Sequence, residues 1–321
     1  MASPVHVVGP CRDAARLVAV PRHLAGLTDR QHGVLSRDQL ASAGFDRHHV
    51  RGAVRARRWQ TFGRQAVVLH NAALTERQRE WVAVLLAGKL AALAGLTAAR
   101  AGGLTGFASE RIHVVLAYDS NTRWPRWVQV HNSRRFTRRD IRPAATPPRT
   151  RIARSIVDAA AWTPNVRRAC AIVCAAVQQR LTTPQRLATE LRKAGAVRHV
   201  AMLRALLDDI AGGGHTLAEI ELAPLARRAG LPPPRRQVLR REPNGKARYV
   251  DAEFDLPDGT VLAVEIDGAV HLEPLTWWDD MDRHNELTIA GHPTMRFPSM
   301  AVRLSPDVVV DRLRRVRQAH A

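Results

Sequence analysis

The chain has 321 residues, 45% of them hydrophobic, which is enough for two or three domains with real cores and excludes a predominantly disordered chain. Its formal net charge of +20 points to a polyanionic partner, nucleic acid ahead of a membrane surface, and all but three of its 49 basic residues are Arg. No apolar run reaches transmembrane length, residues 1–22 lack a signal-peptide core, and three cysteines are too few for a disulfide framework, so the expectation is a cytoplasmic protein.

Residues 1–22 contain Gly9-Pro10 and Pro21 without periodicity and read as a loose tail. Residues 23–70 read as a compact unit. Leu24 to His32 forms a first helix, and Ser36 caps a short second one, Arg37 to Ala43, which stops at Gly44. Asp46 caps a third helix from Arg47 to about Arg57, with Val50 and Val54 inward and Arg47, His48, Arg51 and Arg55 facing elsewhere. Trp59 to Leu69 alternates and contains Phe62-Gly63-Arg64, the pattern of a hairpin. Helices, turn, helix and hairpin in this order predict a winged helix-turn-helix. Arg47, His48, Arg51, Arg55, Arg57, Arg58 and Arg64 are its candidate DNA contacts, because such a helix enters the major groove while Arg side chains reach phosphates and guanine edges. A solvated Arg-rich helix is the alternative reading.

Residues 33–54, G-V-L-S-R-D-Q-L-A-S-A-G-F-D-R-H-H-V-R-G-A-V, resemble the N-terminal domain of AbiEi-family antitoxins. The resemblance implies DNA binding, typically at the promoter of the protein's own toxin operon; it does not by itself imply a toxin partner.

Residues 71–158 read as a mixed α/β middle domain. Thr75 to about Gly103 is helical and apolar-rich, and strand-like runs follow at Ile112 to Tyr118 and Trp127 to His131. Arg134 to Arg154 carries eight Arg against one acid, either a second phosphate-contacting surface or an exposed loop. The run R-T-R-I-A-R-S-I-V-D-A-A-A that closes it is similar to the middle region of AbiEi-like proteins. Residues 159–211 predict a helical connector. Cys170 and Cys174, four apart on one helix face, read as buried core thiols because no His or Cys set completes a zinc site. Gly212-Gly213-Gly214 marks the boundary of a last domain, 212–321.

Within that domain, Tyr249 to Asp282 inverts the charge of the chain, holding ten carboxylates and no Lys or Arg. Crowded carboxylates repel, and a bound cation or a proton relieves the repulsion. Thr216-Leu-Ala-Glu219 opens a helix, and Glu219 there is a capping-box residue before it is anything else. Val250, Ala252, Phe254 and Leu256 alternate with Asp251, Glu253 and Asp255, as in a half-buried strand. After Pro257-Asp258-Gly259, a second strand runs from Val261 to Asp267. A three-residue loop with a left-handed Gly259 pairs Leu256 with Thr260 and brings Asp251 opposite Glu265, about 5 Å apart on one face. A two-residue loop would separate them.

Asp251, then Glu265-Ile266-Asp267-Gly268 and His271, resembles the core of the PD-(D/E)XK nuclease superfamily. The closest likeness is to the domain of unknown function related to very-short-patch-repair endonucleases. Asp280-x-x-Arg283-x-x-x-Leu287, Gly291, the strand Thr294 to Phe297 and a last helix from Asp307 continue the likeness, which runs from Thr216 to the C-terminus. The resemblance implies a restriction-endonuclease-like α/β fold, Mg²⁺ or Mn²⁺ held by Asp251 and Glu265 with Glu219 in support, and catalysis by Asp251, Glu265, Asp267 and His271. The chain departs from the pattern at Asp267, where the superfamily usually has the lysine that activates water or neutralises developing charge; His271 is then the candidate general base or acid. A turn role for Asp267-Gly268, a surface role for His271 and a structural Asp280–Arg283 ion pair are the plainer alternatives. Two functions follow from this reading. One is a DNA-binding, metal-dependent endonuclease. The other is an antitoxin-like regulator that binds its own promoter, with a nuclease-like domain that does not catalyse.

Overall fold

The computed structural model describes residues 22–117, 123–211, 215–241, 247–267 and 294–321. They form a mixed α/β protein with three small sheets, and no described helix is long and apolar enough to cross a membrane. The chain divides into two compact units, residues 1–101 with 108–151, and residues 102–107 with 152–321.

The first unit begins with α1 (Arg22–Arg30), β1 (Val34–Ser36), α2 (Arg37–Ser42), α3 (Arg47–Arg55), β2 (Gln60–Phe62) and β3 (Ala66–Val68). Ser36 caps α2 through a full capping box, its hydroxyl accepting from the Gln39 amide and the Gln39 side chain accepting from the Ser36 amide. The Asp46 carboxylate accepts from the amides of His48 and His49 and so fixes where α3 starts. Leu24, Leu35, Leu40, Val50, Ala53, Trp59, Val67 and Leu69 close a core beneath these helices, with Val54 packed at its edge. Strand β1 lies antiparallel to β3 at the far side from β2, giving the order β1-β3-β2.

Alternate residues of β1 and β3, Val34, Ala66 and Val68, face the other way and pack on α4 (Glu76–Ala87). From Trp81 to Ala87 helix α4 is apolar all round, because its opposite side packs a second sheet through Ala83 and Val84. That sheet has the order β4-β5-β6, with β4 (Ala91–Leu93) antiparallel and β6 (Val128–Asn132) parallel to β5 (Ile112–Leu116). The stretch from Thr75 to about Gly103, expected to be helical, is helical in two pieces: α4 ends at Gly88, the chain passes through β4, and a helix resumes as α5 (Gly95–Ala101). Gly88 sits at φ +92, where a side chain would be strained. On the sheet face away from α4, His113 and His131 stack with centroids 5.2 Å apart and ring nitrogens 2.9 Å apart.

The second unit contains α6 (Ile152–Trp162), α7 (Val166–Gln178), α8 (Pro184–Ala194) and α9 (Val200–Ile210). Arg154 and Asp158, one turn apart on α6, form a buried ion pair of 2.7 Å. Cys170 and Cys174 are buried on α7, and burial pushes the Cys170 thiol up to about 12, so both act as small core hydrophobes. Helix α10 (His215–Arg228), α11 (Ser299–Leu304) and α12 (Pro306–Ala319) cover one face of a four-stranded sheet. Because α10 starts at His215, Thr216 lies inside its first turn rather than capping it. The sheet order is β10-β9-β8-β7, with β7 (Arg235–Arg241), β8 (Ala247–Asp255) and β9 (Val261–Asp267) antiparallel and β10 (Thr294–Pro298) parallel to β9. Ala252, Phe254, Leu262, Val264, Ile266, Met295 and Phe297 fill the covered face. The Ser299 hydroxyl donates to the Asp209 carboxylate at 2.6 Å, both buried, which ties α9 to α11.

Candidate functional site

Alternation along β8 and β9 sends Asp251, Glu253, Asp255 and Glu265 to the face opposite that core. The turn between the strands has the geometry that sets their register. Gly259 is left-handed at φ +84, its amide donates to the Leu256 carbonyl, and the Leu256 amide donates to the Thr260 carbonyl at 2.8 Å. Phe254 pairs with Leu262 and Ala252 with Val264, so the register continued one step sets Asp251 opposite Glu265 on the face away from that core. The Asp251 carboxylate accepts from the Ile266 amide at 2.6 Å, which ties it to β9 at the residue after Glu265.

Basic side chains from outside the acidic window meet several of its carboxylates. Arg235 of β7 holds Asp255 at 2.6 Å and Glu253 at 3.5 Å, and its guanidinium keeps the Asp255 carboxyl below the usual carboxylate range. His320, at the end of α12, meets Asp258 at 2.7 Å; with the Thr260 amide it lowers that carboxyl to about 2. Arg296 of β10 lies beside Glu265 in the parallel register, its Nε 3.0 Å from the carboxylate. Sequence reading found the strand Thr294 to Phe297 but not this role for Arg296, since only the parallel pairing brings the two residues together.

Asp267 ends β9, and its side chain lies outside the described residues. So does the side chain of Glu219 on α10, and so do His271, Asp280 and Arg283 altogether. Among the described residues no group of three or more His, Cys, Asp or Glu side chains forms a metal cage. Asp251 and Glu265 nevertheless suit a hard divalent cation on donor chemistry. Mg²⁺ commonly takes only one or two carboxylates from a protein and completes its shell with water and phosphate oxygens.

Comparison of the chain with protein-family models, curated proteins and solved structures returns no match. The reading of the site therefore rests on its residues.

A second charged surface lies on the first unit. Arg47, His48, Arg51 and Arg55 are all exposed on α3, as are Arg57 and Arg58 just beyond it and Arg64 in the turn between β2 and β3. His48 accepts from Arg47 at 3.3 Å and meets Arg51 at 3.1 Å, so the three side chains form one cationic ridge. Val50 and Ala53 anchor the opposite side of the helix in the core. The Asp46 carboxyl is lowered, first by the His49 amide and then by its ring, and is thus committed to capping. In the basic segment that follows β6, Arg134, Arg135, Arg138, Arg139 and Arg142 are exposed, and Arg134 and Arg138 line a cavity of about 780 Å³. Arg154 is excluded from that surface by its buried pair with Asp158.

Proposed function

We propose that the protein binds DNA through a winged helix-turn-helix formed by residues 23–70 and cleaves or nicks a phosphodiester at the Asp251–Glu265 site of a restriction-endonuclease-like domain. The single observation that carries the cleavage reading is the placement of two carboxylates: the β8–β9 register, continued one step past Ala252–Val264, sets Asp251 opposite Glu265 on the sheet face away from the core, in a chain of net charge +20. The order β1-β3-β2 beneath an exposed Arg-rich α3 supports the winged-helix reading, with α3 in the major groove and Arg64 on the wing. The order β10-β9-β8-β7, antiparallel except for its last parallel pair, supports the nuclease-like reading.

Asp251 and Glu265 are the residues that would hold Mg²⁺ or Mn²⁺, with Glu219, Asp267 and His271 as the further candidates from the sequence. A divalent cation bound there would supply charge for a phosphodiester oxygen and lower the pKa of an attacking water. The chain's own contribution is to hold Asp251 in place through the Ile266 amide and to set a guanidinium, Arg296, next to Glu265. Arg296 is thus a cation at the site in the absence of the usual lysine.

The test pairs two assays on the full chain. Purified protein should nick plasmid DNA with Mg²⁺ or Mn²⁺, and Asp251→Ala should abolish nicking while leaving duplex affinity unchanged. Duplex binding without metal-dependent cleavage over a broad panel of substrates would sink the nuclease reading. The Glu265–Arg296 ion pair favours that second outcome, because it already neutralises one of the two carboxylates. The protein would then be an antitoxin-like regulator that binds its own operon promoter.

A further inference from the structure

The sheet β4-β5-β6 ends in a cavity that neither proposed site uses. Strands β5 and β6 are parallel and finish together at the Leu116–Asn132 pair, and the antiparallel β4 begins beside them, with Ala91 opposite Leu116. Leu90, Ala117 and Asn132 therefore lie at one end of the sheet, where they line the cavity of about 780 Å³. The carboxyl ends of parallel strands are where open α/β sheets place their ligands, and this volume falls in the range of about 300–1,000 Å³ usual for small-molecule sites. The rest of the lining comes from the segment after β6, above all from Arg134, Phe136 and Arg138.

That segment is tied down at several points. The Ser133 amide donates to the Leu116 carbonyl and the Phe136 amide to the Ser133 carbonyl, both at 2.9 Å, and Phe136 is only 2% exposed. The Asp140 carboxylate accepts from the Thr137 amide at 2.8 Å and from its hydroxyl at 3.2 Å, and the Arg151 guanidinium donates to the Arg139 carbonyl at 2.9 Å. Arg134 and Arg138 extend from this held backbone, and among the described residues neither guanidinium has a hydrogen-bond or ion-pair partner. No Asp or Glu lines the cavity among the described residues, so two guanidiniums share it unneutralised. A bound anion relieves their repulsion, and the planar fork of Arg matches the oxygens of phosphate. Half-buried Leu90 and Ala117, with Phe136, supply an apolar surface for the uncharged part of a ligand. A DNA duplex is too wide to enter a cavity of this volume, and an inorganic ion would leave most of it unfilled.

We propose that this cavity binds a nucleoside diphosphate, with Arg134 and Arg138 on the phosphates and Leu90, Ala117 and Phe136 against the nucleoside. The proposal rests on neither the winged-helix nor the nuclease reading, since none of these residues belongs to either site.

The experiment is calorimetric titration of the full chain with the four common nucleoside 5′-diphosphates and with inorganic pyrophosphate. At least one nucleoside diphosphate should bind, and more tightly than pyrophosphate. Arg134→Gln and Arg138→Gln should each weaken it roughly ten-fold, the usual loss for a hydrogen bond to a charged group. Arg139→Gln removes the same charge from an exposed side chain of the segment that does not line the cavity, and should stay within about two-fold of wild type. Ala117→Leu narrows the cavity without changing its charge, and should weaken the nucleoside diphosphate while sparing pyrophosphate. Failure of all four nucleotides to bind at about 1 mM overturns the proposal. So does an equal loss in Arg139→Gln and Arg138→Gln, which would make the effect a general field of positive charge. Pyrophosphate that binds as tightly as the best nucleotide overturns it too, because the apolar lining would then contribute nothing. Displacement of the nucleotide by duplex DNA from a variant with Arg47, Arg51 and Arg55 all replaced by Gln also overturns it, by making Arg134 and Arg138 part of a DNA surface.

Discussion

Arg296 decides how much negative charge the Asp251–Glu265 pair offers to a cation. Its Nε is 3.0 Å from a Glu265 carboxylate that is only 13% exposed, so the guanidinium would compete with a metal bound there for the same oxygens. Replacing Arg296 with Met keeps the stem and removes the charge, and should tighten Mn²⁺ binding about five-fold, the equivalent of about 1 kcal/mol for a partly exposed pair. Calorimetric titration of the variant reads this directly, and unchanged affinity would mean that the two never compete. At His131 the same competition between charge and environment runs in the opposite direction. Burial, and then the neighbouring His113 ring, lower its pKa from 6.5 to about 3, and burial lowers His113 as well. Between those values the unfolded chain takes up a proton that the folded chain refuses. Stability is therefore complete above the unfolded value and falls as pH drops through the window from 6.5 toward 3, by at most about 1.4 kcal/mol per pH unit for one group. Urea unfolding at about pH 7 and about pH 5 should show a steeper loss for wild type than for His131→Gln. Equal slopes would place the pH dependence elsewhere.

At the scale of the element, the turn at Pro257–Gly259 is what assembles the site. A Cβ added at Gly259 would meet no heavy atom within 4 Å, so Gly259→Ala is opposed only by its φ of +84. The change should cost about 1–2 kcal/mol, the usual penalty for a left-handed L-residue. Thermal unfolding measures it, and a loss near zero would show that the turn relaxes without strain. The same turn explains why this register was legible from sequence: Pro, Asp and Gly in that order leave few ways to close a hairpin. The caps of α2 and α3 were legible for the same reason, since Ser36 and Asp46 act on amides two or three residues away. Strands β1 and β4 were not. Each is three residues long, too short for alternation to register, and each owes its existence to a partner, β3 or β5, far along the chain. Arg296 belongs to that second class. Its place beside Glu265 comes from a parallel ladder whose connection spans residues 268–293, and no local spacing encodes it.

At the scale of the whole molecule, charge is divided between surfaces that should respond differently to salt. Neutralising phosphates releases counterions, so the logarithm of duplex affinity should fall linearly with the logarithm of salt concentration, with a slope of about 0.9 per phosphate contact. If α3 carries those contacts, replacing Arg47, Arg51 and Arg55 with Gln should reduce the slope by about two to three as well as weakening binding, because each lost phosphate contact removes roughly one unit. A side chain that reads a base edge would instead lower affinity for one sequence and leave the slope nearly unchanged. Asp251→Ala and Arg296→Met lie on the other unit and should leave duplex slope and affinity alone. Anisotropy titrations of the four proteins across a salt series separate these cases. A slope that survives the triple substitution would take the phosphate contacts off Arg47, Arg51 and Arg55 and leave as candidates on the first unit the exposed Arg57, Arg58 and Arg64 and the arginines after β6, Arg134 to Arg142.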